Sequence, residues 1–194
     1  MLRSLCVFCG SSPGSDPVHA AAARSLGAAL GAEGIDLVYG GGKVGLMGIV
    51  ADAAMAAGAR ATGVIPKALA DLEVAHDGLS DLRIVGSMHE RKAMMADLSD
   101  GFIALSGGIG TFEEMFEIWT WGQLGDHSKP VALLNIGGFY DKLIGFLDDV
   151  AAAGFLREVH RAMLMVDDNP AALIGRMRAF RPRTVAKWIS DEQR

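Results

Sequence analysis

Residues 101–114 constrain the fold of this chain more than any other stretch. The apolar run at residues 102–105 is typical of a short buried strand. A glycine-rich turn follows, and after it the apolar residues recur with the spacing of an amphipathic helix. A strand that enters a helix through such a turn places bare backbone N–H groups at the positive end of the helix dipole, which favours binding of an anion such as phosphate.

Polar side chains directly behind this turn suggest chemistry as well as binding. Thr111 adds a hydroxyl that can contact a ligand or cap the helix, and Glu113 and Glu114 add two carboxylates. Acidic residues are common at helix starts, because they cap the helix and oppose its dipole, so the pair alone does not require a site. A phosphate bound at the turn would, however, bring its attached sugar near a carboxylate. The combination suggests chemistry on a phosphorylated sugar.

The rest of the chain repeats the alternation of strand and helix. Six further apolar runs predict strands at residues 5–9, 35–39, 59–65, 82–85, 130–134 and 163–166. Helical patterns lie between these runs. Strands that are apolar on both faces and separated by helices are typical of a parallel sheet covered on both sides. With 194 residues, 51% of them hydrophobic, the chain suits one α/β domain.

Composition and charge exclude several classes of protein. The net charge of −5 and the absence of a Lys/Arg run argue against a nucleic-acid partner. No apolar stretch is long enough to span a bilayer, and the N-terminus shows no signal peptide, so we expect no membrane partner and a cytoplasmic location. Cys6 and Cys9 fall within one predicted strand and point to opposite faces, which makes a disulfide geometrically poor. The histidines show no metal-like spacing with acids or cysteines, so we expect no metal site.

The sequence allows two interpretations for each of two further segments. The glycines at positions 40, 42 and 45 match the dinucleotide-binding pattern, but Pro66 stands where that pattern needs an acidic residue. This turn either contacts an anion or ribose, or lets a helix pack closely on a strand. Arg91 and Lys92 begin another predicted helix, where cations oppose the dipole. They either meet an anionic ligand or lie on an exposed face with Glu90 and Asp97 as partners.

The loop at residues 66–80 interrupts the regular alternation. It is rich in charged residues, Glu73 among them, and it follows the third predicted strand. Loops at the carboxyl ends of parallel strands are where such sheets bind ligands. A solvated connection is an equally good interpretation.

Several sequence motifs resemble those of a known family. Residues 106–114 read Ser-Gly-Gly-Ile-Gly-Thr-Phe-Glu-Glu, which resembles the motif Pro-Gly-Gly-x-Gly-Thr-x-x-Glu of the LONELY GUY (LOG) family. Residues 88–92, Met-His-Glu-Arg-Lys, resemble the second motif of that family. Segments 9–14, 39–42, 45–48 and 121–125 are similar to it too, so the resemblance extends from residue 5 to about residue 166. One departure stands out, because Ser106 replaces the proline of the motif.

The resemblance implies a fold, an activity and a set of site residues. It implies a Rossmann-like doubly wound parallel sheet with helices on both faces, a nucleotide-binding hydrolase domain over residues 1–180 and a polar tail at 181–194. The implied activity is hydrolysis of the N-glycosidic bond of adenine-type nucleoside 5′-monophosphates, plain or N6-prenylated, to free base and ribose 5-phosphate, by a homodimer without a cofactor. Arg91 and Glu114 are the implied catalytic pair. The implied substrate-binding residues are Glu73, Lys92, Gly107, Gly108, Ile109, Gly110, Thr111, Phe112, Glu113, Gly10, Ser11, Gly41 and Gly42.

The residues themselves agree with that activity. Cleavage of a ribosyl–purine bond passes through an oxocarbenium-like state, which a carboxylate such as Glu114 can stabilise. Arg91 stays protonated, so it can orient the phosphate or the departing base but cannot act as a base. Some family members carry an older label, lysine decarboxylase, yet nothing in this sequence suggests a pyridoxal-phosphate site. The alternative is a nucleotide-binding or carrier protein without turnover.

Overall fold

The computed structural model of the chain describes residues 2–72 and 75–182. Seven strands lie in this part of the chain, and each coincides with a predicted apolar run. They are β1 (Ser4–Phe8), β2 (Asp36–Tyr39), β3 (Ala61–Pro66), β4 (Asp81–Val85), β5 (Phe102–Ala104), β6 (Val131–Leu134) and β7 (Leu164–Asp167).

Helices connect the strands. They are α1 (Pro17–Ala32), α2 (Gly45–Ala56), α3 (Lys67–Ala70), α4 (Met88–Asp97), α5 (Ile109–Leu124), α6 (Asp141–Ala152), α7 (Glu158–Arg161) and α8 (Pro170–Ala179), with a 3₁₀ turn at Ile136–Gly138. The short helices α3 and α7 and the 3₁₀ turn are not predicted by the sequence patterns, because each is too short to show a helical period. No helix of the described part is both long and apolar enough to cross a membrane.

The strands form one parallel sheet in the order β4-β3-β2-β1-β5-β6-β7. The chain builds outward from β1 to β4, then crosses back to place β5 on the other side of β1. A doubly wound sheet opens a crevice at such a reversal, outside the carboxyl ends of the two central strands. The structure thus confirms the predicted Rossmann-like α/β fold and places the turns after β1 and β5 side by side.

Helices cover both faces of the sheet, as its apolar strands require. On one face α1, α2 and α8 pack against strand residues such as Leu5, Leu37 and Ile103. On the other face α4, α5 and α6 pack against the alternate residues, among them Phe8 and Phe102. Cys6 and Cys9 are free, buried thiols that belong to opposite layers, as the strand pattern predicts.

Candidate active site

A cleft of about 570 Å³ lies at the carboxyl ends of the central strands. It collects residues from segments that are far apart in the sequence: the turn after β1, the turn after β2, the start of α4 and the start of α5. The polar and glycine residues that line it are Gly10, Ser11, Gly40, Gly42, Arg91, Gly108, Gly110, Thr111 and Glu114. The geometry therefore brings together both predicted catalytic residues and most of the predicted glycine turn.

The glycine turn between β5 and α5 packs tightly on one side and is open on the other. A Cβ on Gly107 would lie 2.1 Å from Thr111 Oγ1 and 2.9 Å from the Gly10 nitrogen, so this position requires glycine. Cβ atoms on Gly108 and Gly110 would meet nothing within 4 Å. Gly108 is the N-cap of α5 and has no side chain to cap it. The first N–H groups of α5 therefore reach the cleft without a side-chain acceptor, which suits an anion.

A second helix also begins at the cleft. Val44, the N-cap of α2, lines the cleft and provides no side-chain cap. Leu46 N–H donates to the Gly10 carbonyl over 3.0 Å, which holds the start of α2 against the turn after β1. Gly45 has a φ of +62°, and a Cβ there would lie 2.3 Å from the Ser11 backbone. Two helix N-termini, those of α2 and α5, thus contribute partial positive charge to the same cleft.

Arg91 and Glu114 form an ion pair inside the cleft. Arg91 Nη1 lies 3.3 Å from Glu114 Oε1, and each side chain is only 11% exposed. Arg91 also donates from Nε to the Val64 carbonyl (3.1 Å) and from Nη2 to the Gly40 carbonyl (3.4 Å). A Cβ on Gly40 would lie 1.9 Å from Arg91 Nη2, so glycine is required there to admit the guanidinium. The arginine is therefore fixed to the ends of two strands and faces the carboxylate.

The environment of Glu114 changes its acidity. Burial raises the pKa of its carboxyl group, and the charge of Arg91 lowers that pKa in part; the nearby Glu113 and Glu117 raise it further, and Lys92 opposes them. The net result is a pKa above the ordinary range for glutamate. A buried carboxylate with a raised pKa in a cleft is a typical feature of functional sites. It is suited to take a proton from water during a reaction.

Lys92 lies beside Arg91 in the sequence but points to a different set of partners. Its Nζ is 2.5 Å from Glu113 Oε1 and 2.9 Å from Glu117 Oε2, and its side chain is 6% exposed. Burial lowers the pKa of Lys92, but the hydrogen bonds to the two glutamates outweigh it and leave the pKa raised. The structure thus places Lys92 and Glu113 outside the cleft lining, in a link between α4 and α5 whose lysine is buried and whose Glu113 carboxylate is half exposed.

The remaining predicted residues fall into different surroundings. Ile109 lines the cleft and is 82% exposed at its rim. Phe112 packs in the core layer beneath α5, with its ring 6.0 Å from that of Tyr140. Gly41 lies behind the cleft with a φ of +74°, where a Cβ would meet Ile65 at 3.2 Å. Glu73 lies outside the described residues.

The sequence patterns do not predict the apolar wall of the cleft. Val44, Met47, Ile65 and Leu69 line it. Met47 belongs to a segment that the family resemblance includes, but nothing in the spacing of the others indicates a site. The Glu90 carboxylate accepts from the Gly86 N–H over 2.8 Å, just before α4. Arg91 and Lys92 pair with residues of α5 instead, and their side chains are only 11% and 6% exposed. The interpretation of Arg91 and Lys92 as an exposed charged face is therefore wrong.

The Lys92 link can be tested by its effect on stability. We expect Lys92→Met to lower the free energy of unfolding by about 1.5–3 kcal/mol, because it removes the charged hydrogen bonds to two partly exposed carboxylates. Lys67→Met, which removes the exposed pair with Asp71, is the matched control and should cost less than about 1 kcal/mol. Urea unfolding of both variants measures the difference. Equal, small losses would contradict a structural role for Lys92.

Comparison with known proteins agrees with the fold and the motifs. The family model described as "Possible lysine decarboxylase" matches residues 47–177. A probable cytokinin riboside 5′-monophosphate phosphoribohydrolase, LOGL2 of Oryza sativa subsp. japonica, is 46% identical over 98% of this chain and 80% of its own length. The Arabidopsis thaliana phosphoribohydrolase LOG2 is 44% identical over 97% of this chain and 90% of its own.

Solved structures add support for the fold alone. The molybdenum cofactor carrier protein of Chlamydomonas reinhardtii matches with a TM-score of 0.69 and 20% identity, over 93% of this chain and all of that one. A molybdenum cofactor binding protein from Rippkaea orientalis gives a TM-score of 0.70 and 21% identity, over 92% and 97% of the two chains. The family model covers most of the chain, and the phosphoribohydrolases are more than 40% identical over nearly all of it. The chain belongs to the LOG family.

Proposed function

We propose that this protein hydrolyses the N-glycosidic bond of adenine-type nucleoside 5′-monophosphates, cytokinin riboside 5′-monophosphates included, and releases the free base and ribose 5-phosphate. One observation carries the proposal. The buried Glu114 carboxylate lies in the second turn of α5, whose first turn opens the same cleft to an anion. A 5′-phosphate at the turn and a carboxylate at the sugar are what this reaction needs. The names of the phosphoribohydrolase relatives support the same reaction.

The proposed chemistry follows from the charges of the cleft. The bond from C1′ to the base nitrogen breaks, and positive charge develops on the ribose ring. Glu114 stabilises this charge and accepts a proton from the attacking water, whose oxygen forms the new bond to C1′. The proton passes to the departing base, so the sum of the reaction is nucleotide plus water to base plus ribose 5-phosphate.

Arg91 acts by position and charge. It stays protonated, and its contacts to the Val64 and Gly40 carbonyls hold it beside Glu114. In this place its charge favours the ionised form of Glu114, because it lowers the pKa that burial raises. We assign it the orientation of Glu114 and of the substrate.

Two other activities fit the cleft less well. A lysine decarboxylase holds pyridoxal phosphate on a lysine as a Schiff base, and no lysine is among the described residues that line this cleft. Lys92, which follows Arg91 directly, is held by Glu113 and Glu117. A carrier without turnover needs the glycine turn but not a buried carboxylate beside it, so Glu114 favours the enzyme.

We expect turnover to depend on the 5′-phosphate. AMP should be hydrolysed to adenine and ribose 5-phosphate, while adenosine at equal concentration should react at least about a hundredfold more slowly, because it cannot use the N–H groups of the turn. Chromatography of the released adenine measures both rates. Equal rates for the two compounds would remove the phosphate site from the proposal.

We also propose a homodimer. The large aromatic side chain of Trp119 is buried within the protomer, 3% exposed and with its indole N–H donating to the His160 carbonyl, so it is not available to a partner. Exposed apolar side chains surround the mouth of the cleft instead. Met88 contacts Arg91 and is 43% exposed, and Ile109 and Leu69 line the cleft and are exposed. A second copy of the chain would cover this apolar rim.

Light scattering tests the dimer. We expect a mass of about twice the 20.4 kDa of the chain. Met88→Glu should shift the protein towards monomer, because it places a charge in the buried rim. Phe155→Glu is the control, since Phe155 is 89% exposed and does not line the cleft; this variant should stay dimeric. A wild-type monomer at micromolar concentration would contradict the assembly.

The proposal includes the location of the protein and the partners it excludes. We infer a cytoplasmic protein that acts on small molecules and binds no nucleic acid, in keeping with its net charge of −5. The two buried free thiols fit a reducing compartment. The hydrolase domain over residues 1–180 ends with α8, and the predicted tail at 181–194 lies, from residue 183, outside the described residues.

A further inference from the structure

Ser106 begins the glycine turn at the position where the family motif has proline. Proline stiffens a turn because its ring fixes φ, and serine does not. The Ser106 residue is only 3% exposed, so its hydroxyl needs a hydrogen-bond partner inside the protein. That partner indicates which contact stiffens the turn in place of the proline ring.

His19 is the partner of the Ser106 hydroxyl. Ser106 Oγ and His19 Nδ1 lie 2.8 Å apart, although the two residues are 87 positions apart in the sequence. The imidazole is held on two further sides: its ring packs edge-on against Phe139 with centroids 5.5 Å apart, and a Cβ on Gly14 would lie 3.2 Å from it. The contact therefore joins the first turn of α1 to the first residue of the glycine turn.

The His19–Ser106 pair lies next to the part of the cleft where the glycine turn is open to an anion. His19 and Ser106 line a recess of about 340 Å³ that shares Gly10, Ser11 and Gly108 with the cleft. The Ser106 carbonyl also accepts from the Gly10 N–H over 3.0 Å. Ser106 is thus held through its side chain by α1 and through its backbone by the turn after β1. No carboxylate is among the described residues that line the recess.

We propose that His19 and Ser106 form a positioning pair that holds the glycine turn in its anion-binding conformation. The hydrogen bond supplies the stiffness that a proline ring supplies in the family motif. The proposal rests on the proposed function only in its choice of a phosphate group as the ligand. The pair does not touch Arg91 or Glu114, so it acts on the binding of phosphate and leaves the chemical step unchanged.

Two alanine variants test the pair. We expect His19→Ala and Ser106→Ala each to weaken binding of inorganic phosphate, measured by calorimetry, by about two- to tenfold, as the loss of one hydrogen bond implies. The KM for AMP should rise by the same factor, with kcat changed by less than about twofold. The double variant should be no worse than either single one, because both remove the same bond.

Replacing Ser106 with proline provides a rescue. Within the described residues the Ser106 N–H makes no hydrogen bond, so a proline there removes no donor in use. Leu105 follows strand β5 directly, and extended backbone before proline is favourable. Ser106→Pro should therefore bind phosphate about as well as wild type. In that background His19→Ala should have no further effect.

The outcomes are distinguishable. Arg24→Gln, on the exposed side of α1, is the control and should bind phosphate like wild type. Additive losses in the double alanine variant, or an effect of His19→Ala that persists in the Ser106→Pro background, would overturn the pair. Lowered thermal stability with unchanged phosphate affinity would overturn it too. A protein that binds phosphate with the expected dependence but does not hydrolyse AMP would contradict the proposed function and support the pair.

Discussion

The close approach of two backbone turns is the constraint on which the rest of the site depends. β1 and β5 are neighbours in the sheet, so the turns that follow them leave the sheet side by side. Gly10 N–H donates to the Ser106 carbonyl, and Gly107 has no room for a side chain because Gly10 and Thr111 lie against it. A larger residue at this contact would separate α5 from the crevice. Gly10 and Gly107 thus let the two turns meet at the crevice where the sheet reverses its winding.

Ion pairs between α4 and α5 then hold the Glu114 carboxylate in place. Arg91 and Lys92 are consecutive residues on α4, and they reach Glu114 on one side and Glu113 with Glu117 on the other. The pair of Arg91 and Glu114 lies in the cleft, and the two pairs that Lys92 makes lie outside its lining. Lys92 balances two acidic neighbours that would otherwise raise the pKa of Glu114 further. Lys92 therefore influences the acidity of Glu114 from outside the cleft lining.

The sequence predicts the strands and helices better than it predicts which of their side chains come into contact. Strands such as β5 are recognisable because residues buried on both faces are apolar throughout, and the glycine turn is recognisable because a strand and a helix flank it. The motif resemblance identifies Arg91 and Glu114. The sequence cannot show that Lys92 turns away from the cleft, because that depends on the angle at which α4 packs against α5. The bond between His19 and Ser106 is equally hidden, since it joins the first helix to the turn after the fifth strand.

We propose that Glu114 serves the chemical step while the glycine turn serves binding. Glu114→Gln tests it most directly, because glutamine keeps the shape and most hydrogen bonds and removes the charge. The measurement is kcat for AMP hydrolysis together with the Kd of AMP from calorimetry. We expect a fall in kcat of about a hundred- to a thousandfold, with AMP binding preserved or tighter as repulsion from the phosphate falls. A variant that keeps more than about a tenth of the wild-type rate, well short of that loss, would contradict it.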